Sequence, residues 1–268
     1  MTSAEELPYY PQVEDLHVVI RPGQAARTPL LLMNGIGARL EALQPFVDAL
    51  DPAIPVIRFD APGVGQSPPS RRPYRFRTLA ARLARLLDEL GHQQVDVLGI
   101  SWGGGLAQQF AYSQRDRCRR LVLVATGTGS IMVPARPGVL WRMLTPRRYL
   151  DSGYLRRAAS TLYGGSARTH PARIELLLRH EGATALPSGY ANQLLAGAGW
   201  TSLHFLPLIT APTLVLAGDD DPLIPLANSR LLSTLIPHAH RHIYRGGHVE
   251  LACAPHRLVP AIERHLAG

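Results

Sequence analysis

Ser101 stands in Gly99-Ile100-Ser101-Trp102-Gly103, between a short apolar run, Val95–Leu98, and a helical pattern, Leu106–Tyr112. A serine flanked by glycines at a strand-to-helix junction is the arrangement that lifts a hydroxyl above a sheet as a nucleophile. Side chains at positions 99 and 103 would collide with the neighbouring strand and helix, so glycine is expected at both. The helix that follows aims its first N–H groups and the positive end of its dipole at the reacting centre. A serine hydroxyl is a weak nucleophile near neutral pH. It needs an adjacent base, and that base needs an acid to orient it. The chemistry implied is acyl transfer through an acyl-serine.

Candidates for both partners follow Ser101 in the chain. The apolar run Thr213–Ala217 leads into Gly218-Asp-Asp-Asp-Pro222. Three adjacent carboxylates are costly to desolvate unless each is paired. The spacing Gly-x-x-Asp-x-x-x-Pro puts Asp221 one short loop beyond the strand, and it is the preferred acid. Asp219 and Asp220 read as turn-forming or solvated. In the fold that a serine elbow of this kind resembles, an acid can also stand after the strand Leu121–Val124; here that position reads Ala125-Thr-Gly-Thr128 and has no carboxylate. The base is expected to be His248 in Gly246-Gly-His248, just after the last strand and before the final helix. His238, His240 and His242 are expected at exposed positions. The oxyanion formed during acyl transfer needs preorganised donors. The backbone N–H groups of Trp102 and of Ile36, in Asn34-Gly-Ile-Gly37, are the candidates. Glu250, two residues past His248, looks out of place beside an apolar site. Asp60–Ser67 reads as a structural loop in which Ser67 bonds the backbone.

Positioning these groups requires a sheet. Strands are expected at His17–Ile20, Leu30–Met33, Pro55–Phe59, Val95–Leu98, Leu121–Val124, Thr213–Ala217 and Arg241–Tyr244. Helices are expected near Arg39–Leu50, Thr78–Leu90, Trp102–Ser113, Leu226–Leu235 and His256–Leu266. The alternation predicts an α/β fold with a mostly parallel sheet flanked by helices. It breaks between about Thr128 and Phe205, where five prolines and helix-like pieces around Trp141, Leu155 and Ile174–His180 suggest an inserted helical cap. The expected division is a core of 1–127 and 206–268 and a cap of 128–205. Cap residues including Trp141, Leu144, Tyr149, Leu150, Tyr154, Tyr163 and Trp200 would shape an apolar slot. Of these, Trp141, Tyr163 and Trp200, with Asn34 from the core, are the candidate substrate contacts.

Composition narrows the class. The 268 residues are 46% apolar and 18% charged, enough for a large core. Net charge is +8 with no lysine, and the 28 arginines are spread along the chain without a nucleic-acid module, so nucleic acid is not an expected partner. No apolar run reaches ~18 residues, the length of a membrane span. The segment Met1–Glu6 lacks the basic and apolar parts of a signal peptide, which makes the cytoplasm the expected location. Cys118 and Cys253 are expected as separately buried, reduced thiols. No metal and no cofactor are expected.

Longer strings carry a resemblance. Asn34–Ala38, Pro73–Phe76, Ser101–Gly104 with Ala107–Ala111, Pro146–Tyr149, Gly199–Ser202 and Leu216–Pro225 resemble intracellular medium-chain-length poly(3-hydroxyalkanoate) depolymerases, within the α/β-hydrolase superfamily. The resemblance spans core and cap. It implies the α/β-hydrolase fold with an inserted helical cap and a triad of Ser101, Asp221 and His248. It also implies an enzyme at the surface of cytoplasmic storage granules that hydrolyses aliphatic polyester to 3-hydroxyalkanoic acids. A carboxylesterase or lipase acting on soluble medium-chain acyl esters, or a 3-hydroxyacyl transferase of the same fold, is the alternative. Many relatives carry His where this chain has Asn34, which changes the bonding that holds that loop. Serine at the elbow disfavours polyester synthases, which use Cys, and dehalogenases, which use Asp.

Overall fold

The computed structural model describes residues 12–13, 15–144, 151–170 and 187–268. Eight strands among them form one sheet in the order β1-β2-β4-β3-β5-β6-β7-β8. These are β1 (Gln12–Val13), β2 (Leu16–Arg21), β3 (Leu30–Met33), β4 (Val56–Phe59), β5 (Val95–Ile100), β6 (Cys118–Val124), β7 (Thr213–Gly218) and β8 (Ala239–Tyr244). From β4 to β8 every neighbouring pair is parallel, while β2 runs antiparallel to β4 and β1 to β2.

Every residue of β3, β4, β5 and β7 is buried. Strands covered on both faces read as mainly apolar runs, here broken by Arg58 in β4 and Asp96 in β5, which is why they were visible in the sequence. Alternate residues serve opposite layers. Leu31, Met33, Leu121 and Leu123 pack with helices α2 (Phe76–Glu89) and α3 (Trp102–Ser113) on one face. Leu30, Leu32, Val122 and Val124 pack with α1 (Gln44–Ala49), on the other face. Asp96 interrupts β5 and is 1% exposed. Arg119 of β6 answers it with a bond from Nε to Oδ1 at 2.9 Å and one from Nη2 to Oδ2 at 2.5 Å. Two bonds from one guanidinium offset the desolvation that would otherwise exclude a carboxylate from a central strand.

The seven expected strands form, each within three residues of its expected bounds, and β1 is additional. Two expected helices are broken by proline. The stretch 39–50 is a 3-10 turn, Leu40–Leu43, followed by α1, in which Pro45 lies within the first turn. The stretch 256–266 is a 3-10 turn, Pro255–Arg257, followed by a helix over Val259–Ala267 that has Pro260 in its first turn. Proline lacks the N–H that a continuous helix requires, but it fits a first turn.

Between β6 and β7 lie α4 (Pro137–Leu144), α5 (Ser152–Tyr163), α6 (Ser166–Thr169) and α7 (Pro187–Gly197). A third apolar cluster joins Val139, Leu155, Ala159, Leu162 and Ala167 of these helices to Leu223, after β7, and to Cys253, near the His248 loop. The helix expected at Ile174–His180, and the side chains of Leu144, Tyr149 and Leu150, lie outside the described residues. After β7 come α8 (Ala227–Leu235), then α9 (Glu250–Cys253), which was not expected, and α10 (Val259–Ala267). No helix among the described residues is long and apolar enough to cross a membrane.

Candidate active site

Ser101 joins β5 to α3 with φ 54° and ψ −118°. A non-glycine residue in this region carries strain on the order of 1–3 kcal/mol, and its surroundings must hold it there. Ser101 N–H donates to Val124 O at 2.9 Å, while Gly104 N–H and Thr126 Oγ1 donate to Ser101 O at 2.9 and 2.8 Å. The flanking glycines have the steric reason expected of them. A Cβ on Gly99 would lie 2.7 Å from Ala107 Cβ in α3, and one on Gly103 would lie 2.5 Å from the carbonyl carbon of Met33 at the end of β3. Strand and helix therefore meet backbone to backbone, and Ser101 at their junction is half-buried.

Asp221 and His248 follow neighbouring parallel strands, β7 and β8. His248 Nδ1 and Asp221 Oδ2 are 2.8 Å apart, and their side chains are 6% and 1% exposed. The other carboxylate oxygen accepts from Leu223 N–H and Ile224 N–H, both at 2.9 Å. An ionised carboxylate so held requires the proton on Nδ1, which leaves Nε2 as the acceptor nitrogen. Among the described residues, Ser101 Oγ makes no hydrogen bond to His248. The Asp221–His248 pair is thus hydrogen-bonded, while Ser101 stands apart from it in the hydrogen-bond network of the described residues. His248 N–H donates to Tyr163 O at 2.7 Å, and the two rings stack with centroids 6.3 Å apart.

Asp219 and Asp220 lie in the turn after β7 and stay solvent-accessible, as expected, and each also has a partner. Asp219 Oδ1 accepts from Gly246 N–H at 2.9 Å, which ties the loop after β7 to the one after β8. Asp220 accepts from Gly165 N–H at 2.7 Å and from Arg168 Nε at 2.7 Å. Arg168 holds the Asp220 carboxyl below the usual carboxylate range. His238, His240 and His242 are exposed, as expected. Asp60 anchors its loop by accepting from Leu40 N–H at 2.8 Å and Gln66 N–H at 3.0 Å, while Ser67 Oγ donates to Asp60 O at 2.7 Å.

Glu250 is fully buried and fully engaged. Its Oε1 accepts from Ser166 N–H at 2.6 Å and Gly247 N–H at 3.1 Å, and its Oε2 from Ser166 Oγ at 2.8 Å. A residue that looked misplaced beside an apolar site instead fastens the His248 loop to α6. Tyr244 donates to Gly247 O at 3.1 Å. Burial, and then the nearby charges of Asp221, Glu250 and Asp219, push its phenol well above the ordinary tyrosine range, so it stays a neutral donor.

The loop Asn34–Gly37 comes up against the elbow, where a Cβ on Gly35 would lie 3.8 Å from Ser101 Cβ. Asn34 uses its amide within the loop. Its Nδ2 donates to Arg39 O at 2.5 Å, and its Oδ1 accepts from Gly35 N–H at 3.3 Å. Trp102 N–H lies in the first turn of α3, where N–H groups find no intrahelical acceptor. Of the expected substrate contacts, Tyr163 reaches the site through its stack on His248. Trp141 is 72% exposed on α4. Trp200 packs edge-on against Phe76, with centroids 4.8 Å apart, and donates its indole N–H to Gln109 Oε1 at 3.0 Å. It also lines an open cavity of about 540 Å³ with Arg77, Tyr112 and His204. One site neighbour escaped the sequence reading. Gln193 on α7 is 1% exposed, and its Oε1 accepts from Gly37 N–H at 2.6 Å.

Residues 28–251 match the family described as the alpha/beta hydrolase fold. The chain belongs to the α/β-hydrolase family. The hydrolase is 51% identical over 257 residues to a poly(3-hydroxyalkanoate) depolymerase of Ectopseudomonas oleovorans, which covers 94% of this chain and 89% of that protein. It is 28% identical over 247 residues to 3-oxoadipate enol-lactonase 2 of Acinetobacter baylyi, with 90% and 89% covered. The crystal structure of the enol-lactonase from Burkholderia xenovorans superposes with a TM-score of 0.80 at 23% identity, covering 97% of this chain and 100% of that one. At that identity the likeness speaks for the fold alone.

Proposed function

We propose that this hydrolase cleaves ester bonds of medium-chain poly(3-hydroxyalkanoate), or of its oligomers, and releases 3-hydroxyalkanoic acids at the surface of cytoplasmic polyester granules. The observation that carries this reading is the 51% identity to the depolymerase across 94% of the chain, which takes in the segment between β6 and β7 as well as the sheet. In this account Ser101 is the nucleophile, His248 the base and Asp221 the acid. Ser101 Oγ bonds to the ester carbonyl carbon as its proton passes to His248 Nε2. Asp221 keeps Nδ1 protonated and stabilises the imidazolium. The tetrahedral oxyanion is met by the N–H groups of Ile36 and Trp102. Collapse breaks the bond to the leaving alkoxy oxygen, and His248 returns the proton to it. Water then attacks the acyl-serine, gives its proton to His248 by the same route, and frees the acid.

The helices of 128–205 act as a cap over the core of 1–127 and 206–268 in this reading. They offer an acyl slot whose wall at the triad is Tyr163, and Trp141 and Trp200 are its outlying members. An apolar slot gains transition-state binding with each added methylene. We therefore expect kcat/KM for p-nitrophenyl octanoate to exceed that for p-nitrophenyl acetate by about tenfold or more. Added coenzyme A should leave the rate of acid release unchanged. A preference for acetate would exclude a medium-chain slot. Diversion of the acyl group to the thiol would mean an acyltransferase.

A further inference from the structure

We infer that Gln193, on α7, is a positioning residue whose side chain sets the geometry of the Ile36 donor, while its backbone carbonyl holds the Trp102 indole. This rests on the reading of Ile36 and Trp102 as the oxyanion donors. One residue makes two bonds, one to each half of the proposed oxyanion hole. Its side-chain Oε1 accepts from Gly37 N–H at 2.6 Å, and its backbone carbonyl accepts from the Trp102 indole N–H at 2.8 Å. Because the Gly37 N–H can only donate, the amide oxygen is the end that faces it.

These bonds bracket the two peptides that matter. In the loop, Asn34 Oδ1 holds Gly35 N–H at 3.3 Å on one side of Ile36, and Gln193 holds Gly37 N–H on the other. The peptide carrying the Ile36 N–H lies between two fixed neighbours. Gly37 has φ 72°, a left-handed conformation in which a loop without an anchor has easy alternatives. At the elbow, the indole bond and the Phe76 ring, 4.8 Å from it, fix the Trp102 side chain and with it the first turn of α3. Gln193 is 1% exposed, so water does not compete for its bonds from outside. An oxyanion donor contributes only when it lies about 2.7–3.1 Å from where the charge develops, so a loop free to drift by an ångström loses most of its effect.

The test compares wild type, Gln193→Met and Gln193→Glu. Met keeps length and apolar contacts but removes the acceptor, whereas Glu keeps an acceptor for Gly37. Each variant is assayed for kcat and KM on p-nitrophenyl octanoate, for thermal midpoint, and for affinity toward octylboronic acid. The boronate forms a tetrahedral adduct on a catalytic serine and so probes the donors. We expect Gln193→Met to lower kcat and boronate affinity together by about 10- to 100-fold, part of the effect of deleting a donor outright. KM should change by much less, and Gln193→Glu should restore most of the loss. Should Gln193→Met fail to fold, the Glu variant still decides. Boronate affinity and kcat near wild type support the role of the acceptor, and a loss of both with the fold intact overturns it. Unchanged kcat and boronate affinity in a folded Gln193→Met, even with a lowered midpoint, would also overturn the inference and leave the triad reading standing. A wild-type enzyme that neither binds the boronate nor turns over the ester would overturn the triad reading itself.

Discussion

Ser101→Ala is expected to lower kcat on p-nitrophenyl octanoate about a million-fold while leaving the fold intact. The size follows from the role. Without Oγ no acyl-enzyme forms, and His248 and Asp221, still 2.8 Å apart, have no nucleophile to activate. Loss of a triad serine costs on the order of 10⁶ in kcat in a serine protease, and the remnant, about 10³–10⁴ over water, comes from the oxyanion donors and binding. Alanine is smaller than serine and Ser101 Oγ bonds nothing among the described residues, so the thermal midpoint should stay close to that of wild type. Single-turnover kinetics with purified, folded protein read the effect. Activity within about tenfold of wild type, a difference of only ~1.4 kcal/mol in the barrier, would remove Ser101 from the mechanism.

Gly103→Ala is expected to leave no folded enzyme, or one destabilised by more than about 4 kcal/mol. Its Cβ would overlap the backbone of Met33 and Asn34, with the Met33 carbonyl carbon 2.5 Å away. Both neighbours are main chain, so no rotamer change relieves the contact. Moving α3 away from β3 would also separate the elbow from the Asn34–Gly37 loop. Gly197→Ala is the matched control, because nothing lies within 4 Å of its Cβ position. There the substitution should be neutral or stabilising by up to about 1 kcal/mol, because it narrows the unfolded ensemble. Soluble yield and thermal midpoint distinguish the two, at roughly 2–4 °C per kcal/mol for a chain of this size. A Gly103→Ala protein with a wild-type midpoint would mean that the strand-to-helix contact is looser than the structure gives.

The parts of this account that were legible in the sequence are those whose physics is local. Gly99 and Gly103 are required by clashes within one turn of Ser101 or at the strand beside it, so the pattern of residue types carries the geometry. The buried strands announce themselves as apolar runs. That Asp221, rather than Asp219 or Asp220, meets His248 could be read from its distance past β7, although the partners of the other two could not. Asp220 bonds to Arg168 and Asp219 to Gly246, and neither partner is signalled by a local motif. Glu250 and Gln193 were not legible for a stronger reason. Glu250 meets Ser166 across 84 positions, and Gln193 meets Gly37 across 156. A lone glutamine on a helix reads as a solvated face until tertiary structure supplies a buried donor opposite it. The broken helices at Pro45 and Pro260 were readable in principle, since a proline within an amphipathic stretch marks a first turn rather than an interior.

Purified wild-type hydrolase given an emulsion of medium-chain poly(3-hydroxyalkanoate), with turbidity and released 3-hydroxyalkanoic acids measured together, decides whether polyester is the substrate. Ser101→Ala at equal concentration serves as the blank. The wild type is expected to clear the emulsion, with released acids matching the ester bonds lost, and the variant to do neither. A wild-type enzyme that hydrolyses p-nitrophenyl octanoate yet releases no acid from the polymer or from its soluble oligomers would contradict the polyester reading. Clearing by Ser101→Ala at the wild-type rate would contradict the mechanism.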